Sequence, residues 1–170
     1  MKHDLRAALE AALTGKTGFV GIGNADRGDD GFGVWLAQAL EASGVPEVMI
    51  AGTVPESRIT SLINGGFDNL IFLDAVETGA DAGSVVFLSA DHIKSRFPQV
   101  STHKIGLGTL ARLIERESSA RVWLLGMQPV ALREHSGLSE AAHTTMELLQ
   151  RILLDVLARK VQIEAECINS

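Results

Sequence analysis

Two adjacent aspartates, Asp29 and Asp30, stand in a glycine-rich stretch that reads GIGNADRGDDGFG at residues 21–33. The glycines allow the backbone to approach neighbouring segments closely, and the acid pair falls where a helix is predicted to begin. One interpretation is structural: Asp29 caps that helix and Asp30 complements its dipole. The other is a cation site, which the crowding of glycines around the acids favours. The residues that would support such a site are Gly23, Asn24, Asp29, Gly31 and Gly33.

Two further polar residues lie where chemistry could take place. Asp74 follows the apolar run 69–73, and a carboxylate there must be solvated, paired or bound to a metal, unless it only forms a turn. His103 lies between a loop that contains Pro98 and a predicted helix. Its imidazole could point into the same crevice, although a single loop histidine is more often a surface residue. The other histidines have no matching acids and stay unassigned: His3, His92, His135 and His143.

Other common hydrolytic and nucleotide-binding sites find little support in the residue types. The chain has neither the Gly-x-Ser-x-Gly nucleophile motif nor the His-Glu-x-x-His zinc-protease motif, and its one cysteine, Cys167, lies near the C-terminus. A dinucleotide fingerprint would need a glycine at Asp26, and carboxylates would repel a pyrophosphate. A metal-centred site is the chemistry that remains.

Short apolar runs alternate with segments of helical periodicity along the chain. Strands are expected at residues 18–23, 48–51, 70–73, 85–88 and 122–125. Helices are expected near residues 5–13, 30–43, 55–64, 92–97, 107–114 and 139–160. The alternation predicts an α/β fold, a doubly wound and mostly parallel twisted sheet of about five strands, with one antiparallel strand and helices on both faces. Ligands of such sheets bind outside the carboxyl ends of the strands, where the candidate residues lie.

Three details of this organisation are also expected. The connector 77–83 is too short for a crossover helix, so the strand at 85–88 should run antiparallel to the strand at 70–73. The chain should form one domain over residues 1–170, with an N-terminal helical extension at 1–17. The tail, residues 161–170, should be frayed.

Composition excludes several classes of partner. The 170 residues are 46% apolar and 21% charged, as in ordinary globular proteins. No apolar run reaches the roughly 18 to 20 residues that a membrane span needs, and the polar residues 1–15 do not resemble a signal peptide, so a cytoplasmic location is expected. The net charge is −6 and the basic residues are scattered, which disfavours nucleic acid as a partner. One cysteine cannot form an intrachain disulfide.

The glycine-rich stretch resembles the motif that opens the hydrogenase maturation endopeptidases. Four further segments resemble the family in the same order, and the resemblance extends over about residues 18–157. They are GTVPES at 52–57, LDAVETG at 73–79, STHKIGL at 101–107 and LGMQP at 125–129.

The resemblance implies an endopeptidase that removes the C-terminal extension of a nickel-iron hydrogenase large-subunit precursor after nickel insertion. In that family two acids and a histidine bind the metal and serve catalysis, and they match Asp30, Asp74 and His103. The nickel would be carried by the precursor, although another divalent ion could occupy the site. The alternative is a non-catalytic module that delivers metal or holds the precursor during hydrogenase assembly. The sequence does not indicate an oligomeric state.

Overall fold

The computed structural model describes residues 4–96, 106–130 and 137–168. Its centre is a five-stranded sheet formed by β1 (Thr17–Ile22), β2 (Val48–Gly52), β3 (Asn69–Ala75), β4 (Val85–Ser89) and β5 (Arg121–Met127). The strand order is β2-β1-β3-β5-β4. The first three pairs in this order are parallel, and β4 pairs antiparallel with β5. The predicted α/β class and the mostly parallel sheet with one reversed strand are confirmed.

Helices cover both faces of the sheet. They are α1 (Leu5–Ala12), α2 (Phe32–Ala42), α3 (Ile59–Asn64), α4 (Ala90–Arg96), α5 (Leu107–Glu117) and α6 (Glu140–Ile168), with short 3-10 helices at Gly28–Gly31 and Pro55–Arg58. Helices α3, α4 and α5 pack in one apolar cluster with Phe72, and helices α1, α2 and α6 pack in a second cluster with Ile71. Because successive strand residues point to opposite faces, these two neighbours in β3 each anchor one of the clusters.

The central strands β1 and β3 are covered on both sides. All six residues of β1 are buried, as are the first six of β3. Continuous apolar runs of this kind are typical of parallel strands between two helical layers, which is why the sequence showed no strict alternation. The register pairs Gly21 with Leu73 and Asp74 with Gly126, so that the carboxyl ends of β1, β3 and β5 lie side by side.

Strand β4 runs antiparallel to β3, as predicted. Its partner in the sheet is β5, which lies between them. The segment 76–84 must therefore cross two strand spacings, about 10 Å, which nine residues span easily. A short connector fixes the direction of the next strand but leaves room for a later strand to insert.

The predicted frayed tail is wrong over residues 161–168, where α6 continues to Ile168. The sequence VQIEAECI contains no glycine or proline, so nothing in it ends the helix after Lys160. The helix predicted from residue 30 begins as the 3-10 helix Gly28–Gly31 before α2, and the one predicted from residue 55 begins as Pro55–Arg58 before α3. Within the described residues, no helix combines the length and the apolar character needed to cross a bilayer.

Candidate functional site

Gly23 lies at the carboxyl end of β1 and shapes the turn that carries Asp30. Its backbone has φ +121°, and its N–H donates to Gly52 O at 2.9 Å, which joins the ends of β1 and β2. A Cβ at this position would overlap the carbonyl oxygen of Asp30. Only a glycine therefore allows the 3-10 helix Gly28–Gly31 to lie this close to the end of the strand.

The half-buried carboxylate of Asp30 folds back over the same turn. Its Oδ2 accepts the backbone N–H of Asn24 at 3.0 Å, and Asn24 Oδ1 in turn accepts the N–H of Asp26 at 2.9 Å. The second bond is the local turn that asparagine commonly forms with the backbone two residues on. A carboxylate that accepts one N–H keeps further lone pairs for a ligand.

Asp74 also lies beside Gly23. It is 5% exposed, and its Oδ1 lies 3.7 Å from the position that a Cβ on Gly23 would take. Asp30 and Asp74 thus both border Gly23, although 44 positions separate them in the sequence. The parallel pairing of β1 with β3 produces this arrangement, because parallel strands end at the same edge of a sheet.

Of the three predicted metal ligands, the two aspartates are near each other and His103 lies outside the described residues. Among the residues that the structure does describe, no cluster of three or more histidine, cysteine, aspartate or glutamate side chains could hold a metal ion. Two carboxylates are hard oxygen donors, and a divalent ion held by them needs at least one more ligand. The described geometry brings together two of the three predicted groups.

Glycines also allow α2 to begin directly over this edge of the sheet. A Cβ on Gly33 would overlap the carbonyl oxygens of Ile22 and Leu73, the last residue of β1 and the residue before Asp74. A Cβ on Gly31 would lie 2.8 Å from both Ala25 Cα and Trp35 Nε1. These glycines therefore support the site by permitting close backbone packing and not by binding a ligand themselves.

Asp29 points away from the groups that surround Asp30. It is fully buried, and its carboxylate accepts hydrogen bonds from Val130 N (2.8 Å), Ser139 N (2.7 Å) and Ser139 Oγ (2.9 Å). Neither the 3-10 helix that contains Asp29 nor the following helix α2 has a side-chain cap hydrogen bond. The interpretation that Asp29 caps its own helix is therefore wrong: its carboxylate binds the residues that follow β5 and precede α6.

Gln128 is a buried residue of this edge to which the sequence analysis gave no role. Its Oε1 accepts Thr78 N (2.6 Å), Thr78 Oγ1 (2.9 Å) and Gly79 N (3.0 Å), while its Nε2 donates to Glu77 Oε2 (2.8 Å) and Pro129 O (3.1 Å). One side chain thus holds the loop after Asp74 against the end of β5. The available signal was a polar residue directly after a predicted strand, the same signal that identified Asp74.

Two of the unassigned histidines are described, and each has a local contact. Ser89 Oγ and His92 Nδ1 are 3.1 Å apart at the beginning of α4, and His143 Nδ1 lies 3.8 Å from Glu147 Oε1 on the surface of α6. Neither contact involves Asp30 or Asp74. Both histidines stay outside the candidate site.

Comparison with known proteins gives consistent results. Residues 34–156 match the family model described as hydrogenase maturation protease. The chain is 31% identical over 110 residues to the hydrogenase 3 maturation protease of Escherichia coli, covering 64% of this chain and 69% of that protein. A putative hydrogenase maturation protease of Methanocaldococcus jannaschii is 24% identical over 148 residues, covering 81% and 86%. The crystal structure of a nickel-iron hydrogenase maturation protease from Thermococcus kodakarensis superposes with a TM-score of 0.79 at 29% identity, covering 89% of this chain and 99% of that one.

Proposed function

Because the chain belongs to the hydrogenase maturation protease family and is therefore an endopeptidase, we propose that it removes the C-terminal extension of a nickel-iron hydrogenase large-subunit precursor after nickel insertion. The observation that carries this proposal is the placement of Asp30 and Asp74 next to Gly23, at the carboxyl edge of the sheet. This is the edge at which open α/β sheets bind their ligands.

The substrate in this proposal carries its own metal, and the protease contributes ligands to it. Asp30, Asp74 and His103 are the proposed ligands and the proposed catalytic residues. Two carboxylate oxygens and one imidazole suit nickel or a similar divalent ion and leave coordination positions for the precursor. Asp30, Asp74 and His103 would hold this metal, which would supply polarisation of the scissile carbonyl or activation of a water molecule. The protein's own contribution is to place two acids, the buried Asp74 and the half-buried Asp30, beside Gly23.

Supporting residues keep the two carboxylates in place. The Asn24 N–H orients the Asp30 carboxylate, and Gly33 lets the first turn of α2 cover the ends of β1 and β3. Gln128 fixes the loop that follows Asp74. Precise placement of reacting groups is a large part of catalysis, and a displacement of about 1 Å can lower a rate roughly a hundredfold.

The decisive experiment is a processing assay read by mass spectrometry of the precursor, with nickel-loaded and nickel-free precursor compared. The wild-type chain is expected to shorten only the loaded precursor, whereas a module that merely holds the precursor would leave its mass unchanged. Asp30→Ala, Asp74→Ala and His103→Ala are expected to abolish shortening while they remain folded. Asp26→Ala is the matched control, since it removes an exposed carboxylate from the same loop. Normal processing by the three site variants would refute the assignment.

A further inference from the structure

Asp29 is a fully buried carboxylate. The hydrogen bonds described above join it to residues that are far away in the sequence. The two oxygens accept three donors, from Val130 and Ser139, about a hundred positions further along. Burying a charge is costly unless hydrogen bonds replace its hydration, and three donors at 2.7 to 2.9 Å do so. The carboxylate is thereby tied firmly to its partners.

These partners belong to the junction between β5 and α6. Val130 follows β5, and Ser139 is the residue before α6, where its Oγ also accepts Ala142 N at 3.2 Å as a helix cap. Ser139 Oγ thus receives one hydrogen bond from the helix and donates another to Asp29. The buried carboxylate connects the glycine-rich turn to the beginning of the longest helix.

Asp30 is the next residue, in the same 3-10 helix. Successive side chains of such a helix point about 120° apart, so that one residue can face the β5–α6 junction while the other faces Gly23 and Asn24. The bond from Asn24 N to Asp30 Oδ2 shows that Asp30 takes the second direction. Fixing the side chain of Asp29 leaves the backbone of Asp30 little freedom to rotate or shift.

We propose that Asp29 is a positioning residue, which holds the carboxylate of Asp30 at the carboxyl edge of the sheet through its bonds to Val130 and Ser139. Both oxygens of Asp29 already accept donors within the protein, so the adjacent aspartates divide two tasks between them. This inference rests on the proposed function in one respect, since it takes Asp30 to be the group that meets the substrate. It concerns how Asp30 is held and not which ion or peptide it meets.

The test uses hydrogen exchange of two backbone amides in the full-length protein. The Asn24 amide reports the bond to Asp30, and the Phe19 amide, which donates to Glu47 O at 2.9 Å in the sheet, reports opening of the whole fold. In Ser139→Ala we expect exchange of the Asn24 amide to rise about tenfold relative to that of Phe19, because one of three charge-assisted bonds is lost. We call the exchange rate of the Asn24 amide divided by that of the Phe19 amide the Asn24 ratio. Ser139→Thr keeps a hydroxyl and is expected to restore the wild-type Asn24 ratio.

Asp29→Asn is the stronger perturbation. Its amide has the shape of the carboxylate but replaces acceptor lone pairs with N–H donors, so one donor of Val130 or Ser139 must face another donor. We expect a larger rise of the Asn24 ratio than in Ser139→Ala. If Asp29→Asn fails to fold, the comparison of Ser139→Ala with Ser139→Thr alone decides whether Asp29 has the positioning role.

A matched control separates positioning from loss of a helix cap. Asp4→Ala removes the cap of α1, where Asp4 Oδ1 accepts the N–H groups of Arg6 and Ala7. Arg6 contacts Asp155, about 22 Å along α6 from its first residue, so this cap is remote from Ser139. Asp4→Ala is expected to leave the Asn24 ratio unchanged at a comparable loss of overall stability.

Activity provides the second readout. With the nickel-loaded precursor, Ser139→Ala is expected to lower kcat about tenfold and to change KM less than twofold, because the ligand stays present but is poorly placed. A folded Ser139→Ala or Asp29→Asn variant whose Asn24 ratio equals that of the wild type would overturn the positioning role. If the wild-type protein leaves the precursor intact, the proposed function fails, and the amide ratios still decide the role of Asp29.

Discussion

Replacing Gly23 by alanine should damage both the fold and the site, and the two effects can be separated. The glycine has φ +121°, a conformation that costs a residue with a side chain about 1 to 3 kcal/mol. The new methyl group would overlap the carbonyl oxygen of Asp30, and overpacking of this kind costs about 1 to 3 kcal/mol more. The free energy of unfolding should therefore fall by about 2 to 6 kcal/mol, which lowers Tm by about 4 to 24 °C in a chain of this size.

The methyl group can be accommodated only if the backbone of Asp30 moves away from Gly23. A shift of about 1 Å in a catalytic group lowers the rate roughly a hundredfold, so processing should fall by that factor even well below Tm. The assay is precursor shortening at a temperature where thermal denaturation shows the variant to be folded. Stability is measured in parallel by denaturant titration.

Gly66→Ala is the matched control for this substitution. Gly66 also has a positive φ, +65°, but a Cβ there would have no neighbour within 4 Å. The free energy of unfolding of Gly66→Ala should fall only by the cost of a positive φ for alanine, about 1 to 2 kcal/mol. This variant should process the precursor normally. If Gly23→Ala lost no more stability than Gly66→Ala and kept full processing, the close approach of Gly23 to Asp30 would have no functional meaning.

Three further substitutions test other parts of the structure. Gln128→Ala leaves the N–H groups of Thr78 and Gly79 without their acceptor and should cost about 1 to 3 kcal/mol by denaturant titration. Gln150→Ala, which loses an exposed bond to Ser43 Oγ, is its control and should cost less than about 1 kcal/mol. Gly33→Ala would overlap two strand carbonyls, so its soluble yield should fall to a small fraction of the wild-type yield. Asp155→Asn breaks an exposed ion pair with Arg6 and should change the free energy of unfolding by less than about 1 kcal/mol. Added salt should reduce this change. A larger loss of stability would mean that this ion pair anchors α1.

Much of the fold could be predicted because its signals are local. Strands β1 and β3 are apolar runs bounded by turn residues, and Pro55 occupies the first turn of its helix, where its missing N–H costs nothing. The insertion of β5 between β3 and β4 could not be predicted, because strand pairing depends on packing between segments far apart in the chain. Likewise, the continuation of α6 beyond Lys160 depends on the absence of helix breakers, a weaker signal than their presence.

The candidate site shows the same division between local and distant information. Asp74 could be located because it follows the apolar run of a predicted strand, at the edge where ligands bind. Gln128 follows the apolar run of the next parallel strand in the same way, but its several buried hydrogen bonds could not be predicted from that position. Residue type alone does not tell Asp29 from Asp30, since both are acids beside glycine in one turn, and only the family resemblance assigned the metal to Asp30. In the structure the donors that reach them from Asn24, Val130 and Ser139 distinguish the two.

That difference bears on how the site can hold two acids near each other. Two acids near each other are unfavourable without a cation, since like charges in a partly buried place repel. The three bonds to Asp29 involve other partners than the Asp30 carboxylate, and they tie the glycine-rich turn to Val130 and Ser139. Contacts outside the candidate site can therefore offset the cost of keeping Asp30 close to Asp74.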